Sequence, residues 1–192
     1  MKSQRGAKRI LPRLLVLTDA ARGFDVRRQL QTWPEEAALI ERCFGQAPTP
    51  YPKLVRRGKD MRLRLATASV KAVRRAHLDG IHWPQKLLSK RLRSGCVGLI
   101  ETASAHNGMA IARAQSQNMA AILVSSAFKS DSPSAGRPLG PIRLARLQRA
   151  FPHARLYALG GIDAKTARRL RHTGVCGVAL VSGGRNAHTA RR

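Results

Sequence analysis

The sequence predicts a single α/β domain, a (β/α)8 TIM barrel whose last helix is short or missing, and three observations predict it. Short apolar runs bounded by turn residues alternate with stretches of helical period, the order expected of a parallel sheet with right-handed crossovers. Eight such runs can be counted, which favours a closed barrel over an open sheet. The last two, Leu156-Tyr157-Ala158-Leu159 and Gly177-Val178-Ala179-Leu180-Val181, run into glycine turns at Gly160-Gly161 and Gly183-Gly184. There a backbone N–H can approach a ligand with no side chain in the way. Glycine turns after strands seven and eight resemble the phosphate grip of such barrels, so a phosphorylated small molecule is the expected ligand. The 192 residues fit one domain with one sizeable core, but are few for a full barrel, so helices and loops must be short.

Residues 1–10 read as a basic tail. The apolar run that follows is broken by Pro12 and Arg13 and meets Thr18-Asp19 instead of a small-residue cleavage site, so it reads as a first strand over 13–18 and not as a signal peptide. The remaining strands fall at 37–43, 62–66, 80–83, 97–101, 120–124, 155–159 and 177–181. Helical period is clearest at 108–118, 139–151 and 164–172. The last of these has Asp163 at its N-cap position and Gly174 as its stop signal. The pattern is weakest between 20 and 75, where 46–52 is rich in proline and the stretch to Asp60 has no firm period. The loop from Gly136 to Pro141 suits a lid. The barrel domain is thus 11–184. The tail 185–192 is too short and too polar for a closing helix, and a homodimer is the expected cover for the flank it leaves.

Lys plus Arg total 36 against 10 Asp plus Glu, a formal net charge of +26, which makes nucleic acid a competing partner through the basic surface. The cations are scattered, however, aromatic residues make up only 4%, and no stacking motif is present. No apolar run approaches the roughly 18 residues of a membrane span. Cys43, Cys96 and Cys176 are widely spaced and form no CxxC pair, so they read as reduced and buried, in keeping with a cytoplasmic location. His77, His153, His172 and His188 show no zinc spacing, and no metal ligands are predicted.

A set of short motifs at strand ends carries a family resemblance: Leu17-Thr18-Asp19, Asp79-Gly80-Ile81-His82-Trp83-Pro84-Gln85, Ser104-Ala105-His106-Asn107, Ser125-Ser126-Ala127-Phe128, Gly160-Gly161-Ile162, and Gly177 through Ser182. In this order they resemble the thiamine phosphate synthase family, which also contains the thiazole tautomerases. The likeness is strongest after residue 78. It implies a transferase of thiamine biosynthesis that joins an aminopyrimidine, carried as its pyrophosphate, to a thiazole phosphate and releases pyrophosphate with the help of magnesium. It further implies that Gly160, Gly161, Val181, Ser182 and Gly183 hold the thiazole phosphate. Arg42, Ser104, Ser130 and Ser132 would face the pyrophosphate.

The resemblance fails at the metal. Where the family has an Arg and then a Lys after strand two, the chain has Arg42 and then Phe44. Thr67-Ala68 replaces Asn-Asp, Leu87 stands at the second aspartate, and Ser130-Asp131-Ser132-Pro133 has lost the lysine of its loop. Mg2+ is therefore a cofactor by resemblance alone, both expected aspartates being absent. Lys86, Lys129, Asp131 and Arg137 are candidate replacements for its charge-handling role.

Other readings stay open. In the tautomerases a histidine in a Ser-x-His motif moves the proton, so His106 with Ser104 fits that activity, although Ser104 and Asn107 also suit a helix cap. His82 reads as a buried histidine satisfied by a carbonyl. Asp19 and Glu101 read as anchors for the pyrimidine amine or as members of ion pairs. A non-catalytic phosphate-ligand or nucleic-acid-binding barrel is the reading from outside enzymology.

Overall fold

The computed structural model describes residues 11–18, 37–43, 45–48, 63–90, 96–130 and 136–181. Within them a parallel sheet closes in sequence order through β1 (Leu14–Leu17), β2 (Ala38–Glu41), β3 (Arg64–Ala66), β4 (Gly80–Trp83), β5 (Ile100–Ala105), β6 (Ala121–Ser125), β7 (Leu156–Leu159) and β8 (Gly177–Val181). β8 returns to β1 with Ala179 opposite Leu15, which completes the ring. The described helices are α1 (Val70–Arg75), α2 (Gly108–Ser116), α3 (Gly140–Ala150) and α4 (Ala164–Arg168), with a 3-10 turn over Gln85–Lys90 after β4.

Side chains alternate along each strand, so every strand serves two cores. Leu15, Leu17, Ala38, Ile40, Leu65, Ala121, Leu123, Tyr157 and Ala179 form one buried cluster, and residues from six of the eight strands can meet only inside the barrel. Their neighbours Ala103, Ala105, Ile122, Val124, Leu156 and Ala158 point outward and pack beneath Ile111 of α2 and Leu144 of α3. Tyr157 fills the barrel floor, fully buried, its hydroxyl donating to Pro12 O at 3.0 Å. Gly177 makes room for that ring: a Cβ there would overlap the Arg13 carbonyl oxygen and lie 2.7 Å from Tyr157 Cε1.

Helix starts follow local chemistry. Asn107 caps α2, its Oδ1 accepting from Ala110 N at 2.9 Å, and Asp163 caps α4 in a reciprocal capping box with Thr166. α3 has no capping side chain. Instead Pro141 opens it, and Leu139 N and Gly140 N donate to Ser126 O and Ala127 O of the loop after β6.

The structure departs from the sequence expectations in three places. β5 occupies Ile100–Ala105 and not 97–101, because Gly98 turns at φ +79 and Val97 is exposed, while the polar Thr102 and Ser104 lie within the strand. The helix expected over 164–172 stops at Arg168 and continues as turns to Gly174. α1 and the 3-10 turn are additional elements, too short for a period of 3.6 to declare itself. Cys43 and Cys96 are buried and Cys176 only half-buried, all three with free thiols; burial pushes the Cys43 thiol up to about 11. No helix among the described residues is long and apolar enough to cross a membrane.

Candidate active site at the barrel mouth

In a parallel barrel all strands deliver their C-terminal ends to one rim. Here that rim carries Thr18, Arg42, Thr67, Gln85, His106, Ser125 and Gly160. Its first sector is tied by side chains. Arg42 N donates to Thr18 Oγ1 at 2.8 Å, Arg42 Nε donates to Thr18 O, and Cys43 N donates to Thr67 Oγ1 at 2.8 Å. Thr67 thereby serves as a connector between β2 and β3.

Below the rim, His82 of β4 is buried between two hydroxyls of β5: Nδ1 lies 2.9 Å from Thr102 Oγ1 and Nε2 lies 2.8 Å from Ser104 Oγ. The expected carbonyl partner is thus replaced by hydroxyls, which can donate to one ring nitrogen and accept from the other. Burial first, and the Arg42 guanidinium second, lower the ring's pKa to about 4, so it is neutral at pH 7. Arg42 and Ser104, read from the sequence as facing one ligand, both act on His82, Ser104 by a hydrogen bond and Arg42 through its charge. Ser104 is therefore a strand residue and not a helix cap; the cap is Asn107.

His106 follows β5 directly and is exposed at the rim. Its backbone N–H donates to Gln85 Oε1 at 2.8 Å, and its Nδ1 lies 2.9 Å from Ser125 Oγ and 3.2 Å from Ser125 O. Nε2 makes no hydrogen bond among the described residues. An imidazole fixed through one nitrogen, with the other bound to none of the described residues, is equipped for proton transfer. Ser125 and Gln85 are functional candidates to which the sequence assigned no role. The available signal was a hydroxyl ending an otherwise apolar run at Ser125, and an amide directly after Pro84.

The next residue, Ser126, packs against the glycine turn: a Cβ on Gly160 would lie 3.4 Å from Ser126 Cα. His106 and Gly160 are therefore separated by the end of a single strand. The turn has φ +94 at Gly160 and +63 at Gly161, and is pinned by Ala127 N donating to Leu159 O and Phe128 N to Gly160 O. Thr166 Oγ1 donates to Gly161 O at 3.0 Å, while the Gly161 N–H has no partner among the described residues. A Cβ on Gly161 would overlap the Lys129 carbonyl oxygen, so this glycine is required by packing whatever it binds. Val181 closes β8 at the same rim and packs on the interior cluster. Ser130 lies in the loop after β6, half-buried. Asp19, Phe44, Asp131, Ser132, Ser182 and Gly183 lie outside the described residues. Glu101 is turned from the anchoring role considered for it: its Oε2 accepts from Trp83 Nε1 at 2.9 Å.

The magnesium site implied by the resemblance finds no support in its donors. Thr67-Ala68 and the exposed Leu87 offer no carboxylate, and among the described residues no three His, Cys, Asp or Glu side chains come together to hold a metal. Among the described residues, the loops that follow the strands carry the cations Arg42 and the exposed Lys86, Lys129 and Arg137.

Residues 60–183 match the protein-family model for thiamine monophosphate synthase (TMP-TENI). The chain belongs to that family. A search of curated protein sequences finds no significant match. Among solved structures, a thiamine phosphate pyrophosphorylase from Pyrococcus furiosus superposes with a TM-score of 0.68 at 20% identity, over 94% of this chain and 91% of that one. The thiamine phosphate pyrophosphorylase from Bacteroides thetaiotaomicron gives 0.57 at 15% identity, covering 89% and 83%. A 4-hydroxy-2-oxoglutarate aldolase/2-deydro-3-deoxyphosphogluconate aldolase gives 0.57 at 18%, covering 88% and 83%. At such identities the structural likeness establishes the barrel, and the family assignment rests on the sequence model.

Proposed function

We propose that the chain is an enzyme of thiamine biosynthesis that holds a phosphorylated thiazole at the barrel mouth and moves a proton on it with His106. The observation that carries this reading is the placement of His106: fixed by Ser125 and Gln85, one strand end from the Gly160-Gly161 turn. The ligand's phosphate would sit against the Gly161 N–H and the end of β8 at Val181, where family resemblance adds Ser182 and Gly183. Nε2 of His106 would take a proton from one position of a thiazole carboxylate and return it at another, the tautomerase activity. That reaction needs no ion, in keeping with the missing aspartates.

A second reading is favoured by Arg42. Its guanidinium is held on Thr18 at the β1 end of the mouth, where a departing pyrophosphate would need positive charge, and by family resemblance Ser104, Ser130 and Ser132 would face the same group. On this reading the chain carries out the full synthase reaction, joining aminopyrimidine to thiazole phosphate, with Arg42, Lys129 and Arg137 taking over charge neutralisation from the metal.

A single set of assays separates the two. Purified protein is given the thiazole carboxylate phosphate alone, and separately aminopyrimidine pyrophosphate with thiazole phosphate, each with and without Mg2+. Isomerisation lost in His106→Ala supports the tautomerase. Release of pyrophosphate and thiamine phosphate, slowed but retained in His106→Ala, supports the synthase. Absence of both activities together with absence of thiazole phosphate binding refutes the proposal.

A further inference from the structure

We propose that the outer wall formed by α3 and the segment 164–173 is a binding surface for nucleic acid, engaging the phosphodiester backbone without reading sequence. A groove of about 420 Å³ runs between these elements, lined by Pro141, Ile142, Arg146, Arg149, Arg169 and His172, among others. It lies on the outer face of the barrel wall, and the proposed thiamine chemistry makes no use of it.

Three observations support a polyanionic occupant. First, no acidic side chain lines the groove among the described residues. The acidic residues among those described are Glu41, Asp79, Glu101 and Asp163; none lies on α3 or in 164–173, and Asp163 precedes the latter as the α4 cap. Arg146 and Arg149 are exposed and make no ion pair among the described residues. Second, the cations are arranged and not merely abundant. Arg143, Arg146 and Arg149 follow one another at three-residue intervals on α3, spanning about 9 Å along the helix. Arg169 faces them from across the groove, its guanidinium stacked 5.2 Å from the centre of the Phe128 ring, which holds it in place. Third, α3 supplies arginine alone among basic residues, and the guanidinium fork matches a phosphate oxygen pair in a way that lysine does not.

A membrane surface fits less well. The apolar side of α3 is turned inward on Leu144, which is fully buried, leaving Ile142 as the exposed large apolar side chain of the groove. The net charge of +26 adds long-range attraction, but the groove gives it a location.

The test uses the full chain and a fluorescein-labelled, mixed-sequence single-stranded RNA of 20 nucleotides, with anisotropy followed across a salt series. Heparin and anionic phosphatidylglycerol vesicles are run in parallel. Arg146→Gln/Arg149→Gln is expected to weaken RNA binding by on the order of tenfold and to reduce the slope of log K against log salt by about 1.4, the share of two lost phosphate contacts. Arg146→Lys/Arg149→Lys is expected to fall between this variant and wild type. Lys71→Gln/Arg75→Gln removes the same charge from α1, and is expected to change affinity less than twofold if the groove is the site. Equal losses in the α1 and α3 variants overturn the proposal in favour of diffuse charge. Tight binding to heparin or vesicles with none to RNA overturns the choice of partner. Thiazole phosphate binding, measured on the same variants, is expected to stay unchanged, which separates failure of this surface from failure of the mouth.

Discussion

His82 Nε2 lies 2.8 Å from Ser104 Oγ inside a closed barrel, with Thr102 Oγ1 2.9 Å from the other ring nitrogen. Two hydroxyls satisfy a neutral imidazole but supply no charge to stabilise an imidazolium, and burial together with the Arg42 guanidinium lowers the pKa from 6.5 to about 4. Between those values the unfolded chain binds a proton that the folded chain does not, so stability rises with pH across this window and is lost as pH falls from 6.5 towards 4. The full effect is about 3 kcal/mol. Urea midpoints measured from pH 4 to 7 on wild type and on His82→Gln test this. The variant is expected to lose most of the pH dependence, and an unchanged dependence would refute the assignment to His82.

Gly161 offers a second measurement. At φ +63, with a Cβ set to overlap Lys129 O and to lie 2.8 Å from Phe128 C, Gly161→Ala combines backbone strain with overpacking. The expected destabilisation is about 2–4 kcal/mol. Gly160→Ala meets Ser126 Cα only at 3.4 Å and is expected to cost less, chiefly through its φ of +94. Thermal denaturation of the pair checks the order. A substitution at Gly161 is also a poor probe of ligand binding, because it disturbs the loop after β6 before any ligand arrives.

The barrel was legible in the sequence because most of its strands are short and largely apolar: β4 and β8 fall at the expected limits, bounded by Gly80 and Trp83 and by Gly177 and Val181, with His82 as the one polar residue between them. β5 was misplaced for the same reason in reverse. Thr102 and Ser104 point into the barrel, where His82 satisfies them, and a polar residue with a partner on another strand looks like a loop when only its own neighbours are read. At the mouth, His106 was legible from its motif. Ser125 and Gln85, which fix it, were not, because they meet it only through the pairing of β5 with β6 and the turn after β4. The glycine turn was found for its promise as a phosphate site, yet the reason for Gly161 visible in the structure is the passage of the Phe128-Lys129 backbone.

Tyr157 connects the barrel floor to the start of the chain. Its ring is fully buried, and its hydroxyl lies 3.0 Å from Pro12 O and 3.3 Å from Leu11 O. Burial also raises its pKa above 10.0, so the phenol stays a donor through neutral pH. Tyr157→Phe keeps the packing and removes the donor, and is expected to lower stability by about 1 kcal/mol. Tyr157→Ala removes the plug, at about 3–5 kcal/mol. Denaturant unfolding of both gives the ratio, and similar losses in the two variants would show that the hydroxyl, not the ring, secures the floor.

His106 and Ser125 provide the prediction closest to function. If Nε2 moves the proton, His106→Ala is expected to lower kcat by about 10²–10⁴. Ser125→Ala removes the hydroxyl 2.9 Å from Nδ1 but leaves Ser125 O at 3.2 Å, so the ring keeps one anchor and kcat is expected to fall by about tenfold. Because His106 is exposed, His106→Ala is expected to leave the thermal midpoint nearly unchanged, and thiazole phosphate affinity should stay within a few-fold in both variants. A loss of kcat without loss of binding assigns His106 to the chemical step and Ser125 to its positioning. Parallel losses of kcat, binding and thermal midpoint would instead make the pair a structural tie between β5 and β6.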